Sequence, residues 1–412
     1  MKRFMTQPEI SLPKTIDIES LGLDAGAHLL VKHGLRDLPP GDVLTVLGTS
    51  PGWDAQLAAW CRSQGHPCTL TQQDGRTTVA HITQGRTEAG RWRGALQTGH
   101  ANPAIGGAVA DQALASWGLA ARGATVEAGS PAIHFRLDQK AEVWTNSAAD
   151  LYALAAAAQW DPETAIDWSA PFDLPDLVED AVVQVLTYMI ENEVAALVVP
   201  ARFLGQLHPH FREVQALLAI QVADEARHIE VFTRRLRLKG REPALSTAGG
   251  QTSLKTLLDE PDFSIAEFLL SVLGEGTFVS LLHFLREHAP DPVTRDVARL
   301  SARDEARHVA FGMVHLMARL EQEPGLRIRL ANAVQTRNDA LSGTSGLNEE
   351  VFDALIVLAA GEFTPAAIAQ GYVRVQQLMV DMAQGRQARL EKLGFSKAEA
   401  QNLSALHTRN FM

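Results

Sequence analysis

The five residues Asp-Glu-Ala-Arg-His occur twice in this 412-residue chain, at 224–228 and again at 304–308. Each copy sets a Glu and a His three positions apart: Glu225 with His228, and Glu305 with His308. Residues so spaced on a helix share a face, so each pair presents one carboxylate and one imidazole to the same point. Two such helices, each paired with a helix carrying one further inward Glu, supply the six ligands of a paired metal centre in a four-helix bundle. A single Glu-x-x-His is usually a solvated pair. Verbatim repetition of the flanking Asp and Arg has no purpose on a solvated face.

The two remaining carboxylates are expected on the preceding helices, within apolar stripes. Glu275 lies 30 positions before Glu305, and Phe268, Val272, Phe278 and Val279 surround it at helical spacing. Before the first copy there are two candidates. Glu193 shares its face with Leu186, Met189, Ile190, Ala196 and Leu197; Glu191 lies among Gln184, Thr187, Tyr188, Val194 and Ala195. A carboxylate inside an apolar stripe is costly unless it binds metal or a partner, which favours Glu193, with Glu191 as the alternative. A metal-bound His usually donates its other N–H to a carboxylate. Asp224 and Asp304 sit one residue, about 100° of helix, from the ligand Glu. They are expected to hold the opposite imidazoles, Asp224 with His308 and Asp304 with His228. Arg227 and Arg307 are expected to neutralise the buried carboxylates. An ordinary interhelical ion-pair network is the plainer reading of these four residues.

The pattern Glu193, Glu225-x-x-His228, Glu275, Glu305-x-x-His308 resembles the ferritin-like superfamily of di-iron carboxylate proteins, over about residues 177–320. Within it the resemblance is to the oxygen-activating branch: bacterial multicomponent monooxygenases, the ribonucleotide reductase small subunit and the aryl-amine N-oxygenases. The pair Gly274-Glu275 is similar to the second-helix carboxylate of the monooxygenases. The reductase subunit keeps a Tyr one turn after its first His. Here Phe232 stands in that place, so stable tyrosyl-radical storage is not expected. Rubrerythrins hold a further iron with four cysteines, and this chain has only Cys61 and Cys68. The N-oxygenases carry an additional His ligand, whereas Ser301 stands a turn before Glu305. His283 and His315 are expected near or outside the centre rather than as ligands.

Composition agrees with a soluble protein of two or three domains. A net charge of −11 argues against a general nucleic-acid surface. No uninterrupted apolar run approaches membrane-spanning length, and the first residues lack a signal-peptide core. Two cysteines without a C-x-x-C fit a reducing, cytoplasmic setting.

The first 83 residues read as a small two-layer α/β domain of order βαβαββ. Strands are expected at 15–18, 43–47, 67–71 and 77–83, helices at 25–38 and 52–63, and a hairpin turn at Gln73-Asp-Gly75. Leu35-Arg-Asp-Leu-Pro-Pro-Gly-Asp-Val-Leu44 and Ala59-Trp-Cys-Arg-Ser-Gln-Gly-His66 resemble the small sulfur carriers of the TusA/SirA type. In that family a Cys-Pro-x-Pro motif opens the first helix and its Cys carries sulfur. The matching place here reads Asp24-Ala25-Gly26-Ala27, without a thiol. The resemblance therefore implies a scaffold or docking module, with Cys61 a packed small hydrophobe.

Residues 84–146 read as a linker region: polar over 84–94, a helix over 108–119, and strand–turn–strand over 126–136. From 147 onward the pattern is helical, forming one domain to 412. A helix is expected at 147–160, four bundle helices near 177–204, 209–238, 263–288 and 291–320, and further helices near 323–341, 348–361 and 364–393. His208-Pro-His210 and the segment 288–292 make tight reversals, and 239–262 crosses between hairpins. Leu378-Met-Val-Asp-Met382 is a stripe for core or homodimer packing.

Four carboxylates and two imidazoles suit two iron ions, or one manganese and one iron. The expected function is O2-dependent oxidation of a small organic molecule by hydroxylation, N-oxygenation or desaturation, with an electron-donor protein as partner. Three rivals are a ferroxidase, a redox partner storing a metal-based radical, and a metal-stapled interaction protein.

Overall fold

The computed structural model describes residues 14–73, 77–86, 94–342 and 349–407. The chain divides into two compact units, one of Met1–Thr98 with Gly123–Pro131 and one of Gly99–Arg122 with Ala132–Met412.

In the first unit β1 (Lys14–Asp17), α1 (Ala27–Arg36), β2 (Val43–Gly48), α2 (Trp53–Gln64), β3 (Cys68–Gln73) and β4 (Thr77–Thr83) follow the expected order. The sheet order is β1-β2-β4-β3. β1 runs parallel to β2, a pairing that needs the crossover through α1. β4 is antiparallel to both β2 and β3. Alternation along the strands puts Leu44, Val46, Ala80 and Ile82 on one face, where they bury Val31 and Leu35 of α1 and Trp53, Leu57 and Cys61 of α2. A Cβ at Gly34 would lie 2.9 Å from Leu44 Cδ2, so its absence lets α1 lie close to the sheet. Asp24 sits in the single turn Leu23–Ala25 before α1. Cys61 is fully buried, and its neighbour Cys68 together with burial pushes its thiol far up. Asp74 and Gly75 of the expected turn lie outside the described residues, as does 87–93 of the expected linker.

The expected strand–turn–strand over 126–136 is corrected to one two-residue strand, β6 (Thr125–Val126), paired with β5 (Leu96–Gln97). Gly129, at φ 84, and Pro131 interrupt any longer ladder. The helix expected over 108–119 is also absent; only the turn Ala115–Trp117 is helical. This stretch pairs instead with residues ahead, Ala113 N–H donating to Asp138 O at 2.8 Å. Val109, Ala113 and Trp117 are buried all the same, so the stretch packs along an irregular path rather than as a helix.

The second unit is mainly α. α3 (Ala148–Ala157) precedes four long helices: α4 (Asp176–Leu204), α5 (Arg212–Leu238), α7 (Phe263–His288) and α8 (Pro292–Gln322). α4 packs on α5 and α7 on α8, giving two antiparallel hairpins, and α5 meets α8 across the centre. The connection between hairpins contains an unforeseen helix, α6 (Ala248–Leu258). α9 (Leu326–Leu341), α10 (Glu349–Ala360), α11 (Pro365–Lys392) and α12 (Lys397–Leu406) complete the unit; α12 is not among the expected helices. α10 packs on α4, and α11 on α7. The architecture is a ferritin-like four-helix bundle with extra helices and a small α/β part.

α4 and α7 are long and apolar enough to cross a membrane by length and composition, although no uninterrupted apolar run suggests it. Both are largely buried inside the unit, as expected of helices enclosed on most sides. Within α7, Phe268–Glu275 winds as a π-helix ending at Glu275.

One buried ion cluster ties the hairpins together. Arg235 on α5 is fully buried. It donates to Glu179 Oε1 at 2.8 Å and Oε2 at 2.9 Å on α4, and to Asp291 Oδ2 at 2.9 Å, the residue that caps α8. Removing the guanidinium strands two buried carboxylates. Arg235→Met should therefore lose about 3–5 kcal/mol of stability in denaturant unfolding; a loss within experimental error would contradict this role.

Candidate metal centre

The centre is assembled from the four bundle helices. Glu193 comes from α4, Glu225 and His228 from α5, Glu275 from the π segment of α7, and Glu305 and His308 from α8. All six are buried. They form two overlapping groups able to hold a metal ion: Glu193, Glu225, His228 and Glu305, and Glu225, Glu275, Glu305 and His308. In each group the ligand atoms lie within 4.8 Å of one another.

The central carboxylates face both ways. Glu225 turns Oε2 to His228 Nδ1 at 3.2 Å and Oε1 to His308 Nδ1 at 2.9 Å. Glu305 mirrors it, with Oε1 at 3.2 Å from His228 Nδ1 and Oε2 at 3.5 Å from His308 Nδ1. Each therefore offers one oxygen to each group. Glu193 Oε1 lies 3.6 Å from His228 Nδ1, which places Glu193, and not Glu191, in the first group. Glu275 Oε1 accepts from Gln221 Nε2 at 3.2 Å, leaving Oε2 facing inward.

The other imidazole nitrogens meet the crossed aspartates. His228 Nε2 lies 3.2 Å from Asp304 Oδ2, and His308 Nε2 lies 3.4 Å from Asp224 Oδ2. A proton on Nε2 leaves Nδ1 as the free electron pair for a metal. Arg227 bridges the two aspartates, donating to Asp224 Oδ1 at 2.5 Å and Asp304 Oδ2 at 2.6 Å. Arg307 also donates to Asp304.

Two residues of this layer had no sequence signal. Gln159 donates to Asp224 Oδ1 at 2.7 Å, and Trp160 Nε1 donates to Asp304 Oδ2 at 2.8 Å. Both follow α3, which lies across α5 and α8. Trp160 also carries the Arg227 guanidinium over its ring, 4.7 Å from the centroid. His315 is buried and bonds Ser264, and His283 is exposed; neither joins the centre.

These residues fit a pair of metal ions. Glu193 Oε1, Glu225 Oε1, Glu275 Oε2, both Glu305 oxygens and His308 Nδ1 are buried without hydrogen-bond partners. Such atoms are costly unless a cation meets them. Burial, then repulsion from Glu225 and Glu305, pushes the Glu193 carboxyl well above its usual range. Burial and Glu305 do the same to Glu275. Against the burial that would lower them, Glu193 draws His228 upward and Glu225 draws His308 upward. The chamber thus demands positive charge. Two divalent ions meet that demand with four ionised Glu and two neutral His.

No protein-family profile matches the chain, and no characterised protein matches it in sequence. Among solved structures, it overlaps a Synechococcus protein with aldehyde deformylating oxidase activity at 18% identity and TM-score 0.40, covering 58% of this chain and 98% of the other. An R2-like ligand-binding oxidase from Sulfolobus acidocaldarius overlaps at 16% identity and TM-score 0.41, covering 61% and 95%. An R2-like ligand-binding oxidase variant with a reconstituted Mn/Fe cofactor overlaps at 17% and 0.44, covering 62% and 94%.

The shared carboxylates make a direct prediction. Glu225→Ala and Glu305→Ala each remove a ligand from both groups, so each variant should retain fewer than two metals by elemental analysis while keeping wild-type helical circular dichroism. Asp304→Asn keeps the shape but not the charge, and should weaken metal binding about 10- to 100-fold. Glu225→Ala with two tightly held metals would overturn the assignment.

Proposed function

We propose that the chain is an O2-activating non-haem di-iron oxidase or oxygenase acting on a small organic molecule. The observation that carries this reading is the pair Glu225 and Glu305, shared between two buried groups that each keep one Glu and one His of their own. Glu193, Glu225, His228, Glu275, Glu305 and His308 would hold two iron ions, or one manganese and one iron, which when reduced would supply electrons to O2.

The chain's own residues set the conditions for that chemistry. Glu193 and Glu275 each belong to one group only, so each is free to shift without breaking the shared pair. Glu275 ends a π segment, a winding that often marks functional sites. Asp224 and Asp304 hold the Nε2 protons and orient the rings. Met189 and Ala196 beside Glu193, and Val272 and Phe278 beside Glu275, are buried and exclude water. Phe232, one turn after His228 and 6.4 Å from it between ring centroids, offers no oxidisable hydroxyl. A tyrosyl radical at that position is therefore not expected.

Hydroxylation places one oxygen atom in the product and reduces the other to water, which draws electrons from an external donor protein. N-oxygenation likewise keeps one oxygen atom, whereas desaturation removes two hydrogens from the substrate and takes both oxygen atoms to water, with the same two electrons from the donor. A ferroxidase would oxidise iron as its substrate and release it; here the groups are enclosed by all four helices.

Anaerobic loading with ferrous iron followed by O2 should give rapid oxidation at the centre without a tyrosyl radical in electron paramagnetic resonance. Steady O2 consumption should then require an organic substrate and a reductant, with a mass-shifted product. Continuous turnover of ferrous iron alone, with release of ferric iron, would replace this reading with the ferroxidase.

A further inference from the structure

The face of α11 turned to the bundle carries Gly371, Val375, Leu378, Met382, Arg386 and Leu390. Arg386 thus occupies a core position and is 1% exposed. Its Nη1 lies 3.3 Å from Thr277 Oγ1 on α7, and its Nε has no partner. One turn later, Arg389 donates Nε to Val272 O at 2.7 Å, while its buried Nη2 has no partner. Gly276 makes room for it: a Cβ there would lie 2.5 Å from Arg389 Cζ. His407, just after α12, is buried with Nε2 unpartnered. Burial, then the positive charge of Arg337, Arg386 and Arg389, holds its imidazole well below the usual range, so all four groups lie within one field.

No carboxylate among the described residues bonds Arg386 or Arg389. Burial pulls both guanidinium groups down to about 10. The contrast with Arg235 is instructive, since that equally buried guanidinium is met by Glu179 and Asp291. A buried arginine left without an anion is among the costliest arrangements in a folded chain.

We propose that Arg386 and Arg389, with His407, bind the oxyanion group of a small acid, a carboxylate or a phosphate. Guanidinium forks match the paired oxygens of either. Thr277 donates its own hydroxyl to Leu273 O at 2.6 Å and accepts from Arg386, which holds that guanidinium in place, and the half-buried Arg389 gives the anion a way in. The site is separate from the metal centre. Thr277 lies two residues past Glu275, about 200° around α7, and faces α11 rather than the bundle interior.

The test is isothermal titration calorimetry on the full metal-loaded chain, with inorganic phosphate and, separately, propionate, at constant ionic strength. Saturable binding of one anion per chain is expected, with Tm rising as it binds. Phosphate alone would identify a phosphorylated ligand or free phosphate, and propionate alone an organic acid. Arg386→Gln and Arg389→Gln should each weaken binding at least about tenfold, with metal content unchanged. Arg286→Gln, an exposed arginine elsewhere on α7, should bind as wild type. Should Arg386→Gln fail to fold, Arg389→Gln still decides. No saturable binding of either anion, or equal binding in Arg389→Gln, would overturn the proposal.

Discussion

Four carboxylates converge at one point in an apolar interior, and the rest of the helical unit answers that constraint. Charge so placed is tolerated only if cations reach it. The two imidazoles come from i, i+3 pairs, so α5 and α8 must lie side by side with matching rotation. Asp224 and Asp304 then cross to the opposite imidazoles, which locks the rotation of each helix against the other. Arg227 and Arg307 close the outer side of this layer, and Trp160 and Gln159 seal it. Remote from the centre, the Arg235 cluster fastens α5 to α4 and to the start of α8.

α4 and α7 answer the same constraint differently. Each supplies one carboxylate to the centre and is apolar over most of its length, to the point of matching a membrane span in length and composition. Their burial by α10 and α11 explains that composition without a bilayer. Arg386 and Arg389 are exceptions on that packing surface, in contrast to Arg235, which two carboxylates meet.

The duplicated motif was legible because function requires the same residue types at the same helical spacing twice. Glu275 was legible because a lone acid in an apolar stripe is conspicuous, and the same argument separated Glu193 from Glu191. The four bundle helices followed from their stripes and from the prolines at their starts. Gln159 and Trp160 were not legible, since their partners lie 65 and 144 positions away and no local pattern marks them. The 108–119 stretch misled because Val109, Ala113 and Trp117 recur at helical spacing; they are buried, yet the backbone is satisfied in part through Asp138 rather than by a helical ladder. α12 has a capping box at Ser396 and Glu399, a short signal passed over beside the longer helices.

The central claim is that Glu225 and Glu305 are shared by two metal ions. X-ray diffraction from iron-loaded crystals at wavelengths either side of the iron absorption edge tests it most directly. The account predicts two anomalous peaks per chain, about 3.5–4 Å apart, one against Glu193 and His228 and the other against Glu275 and His308, with Glu225 and Glu305 touching both. A single peak, or peaks away from these six residues, would contradict it.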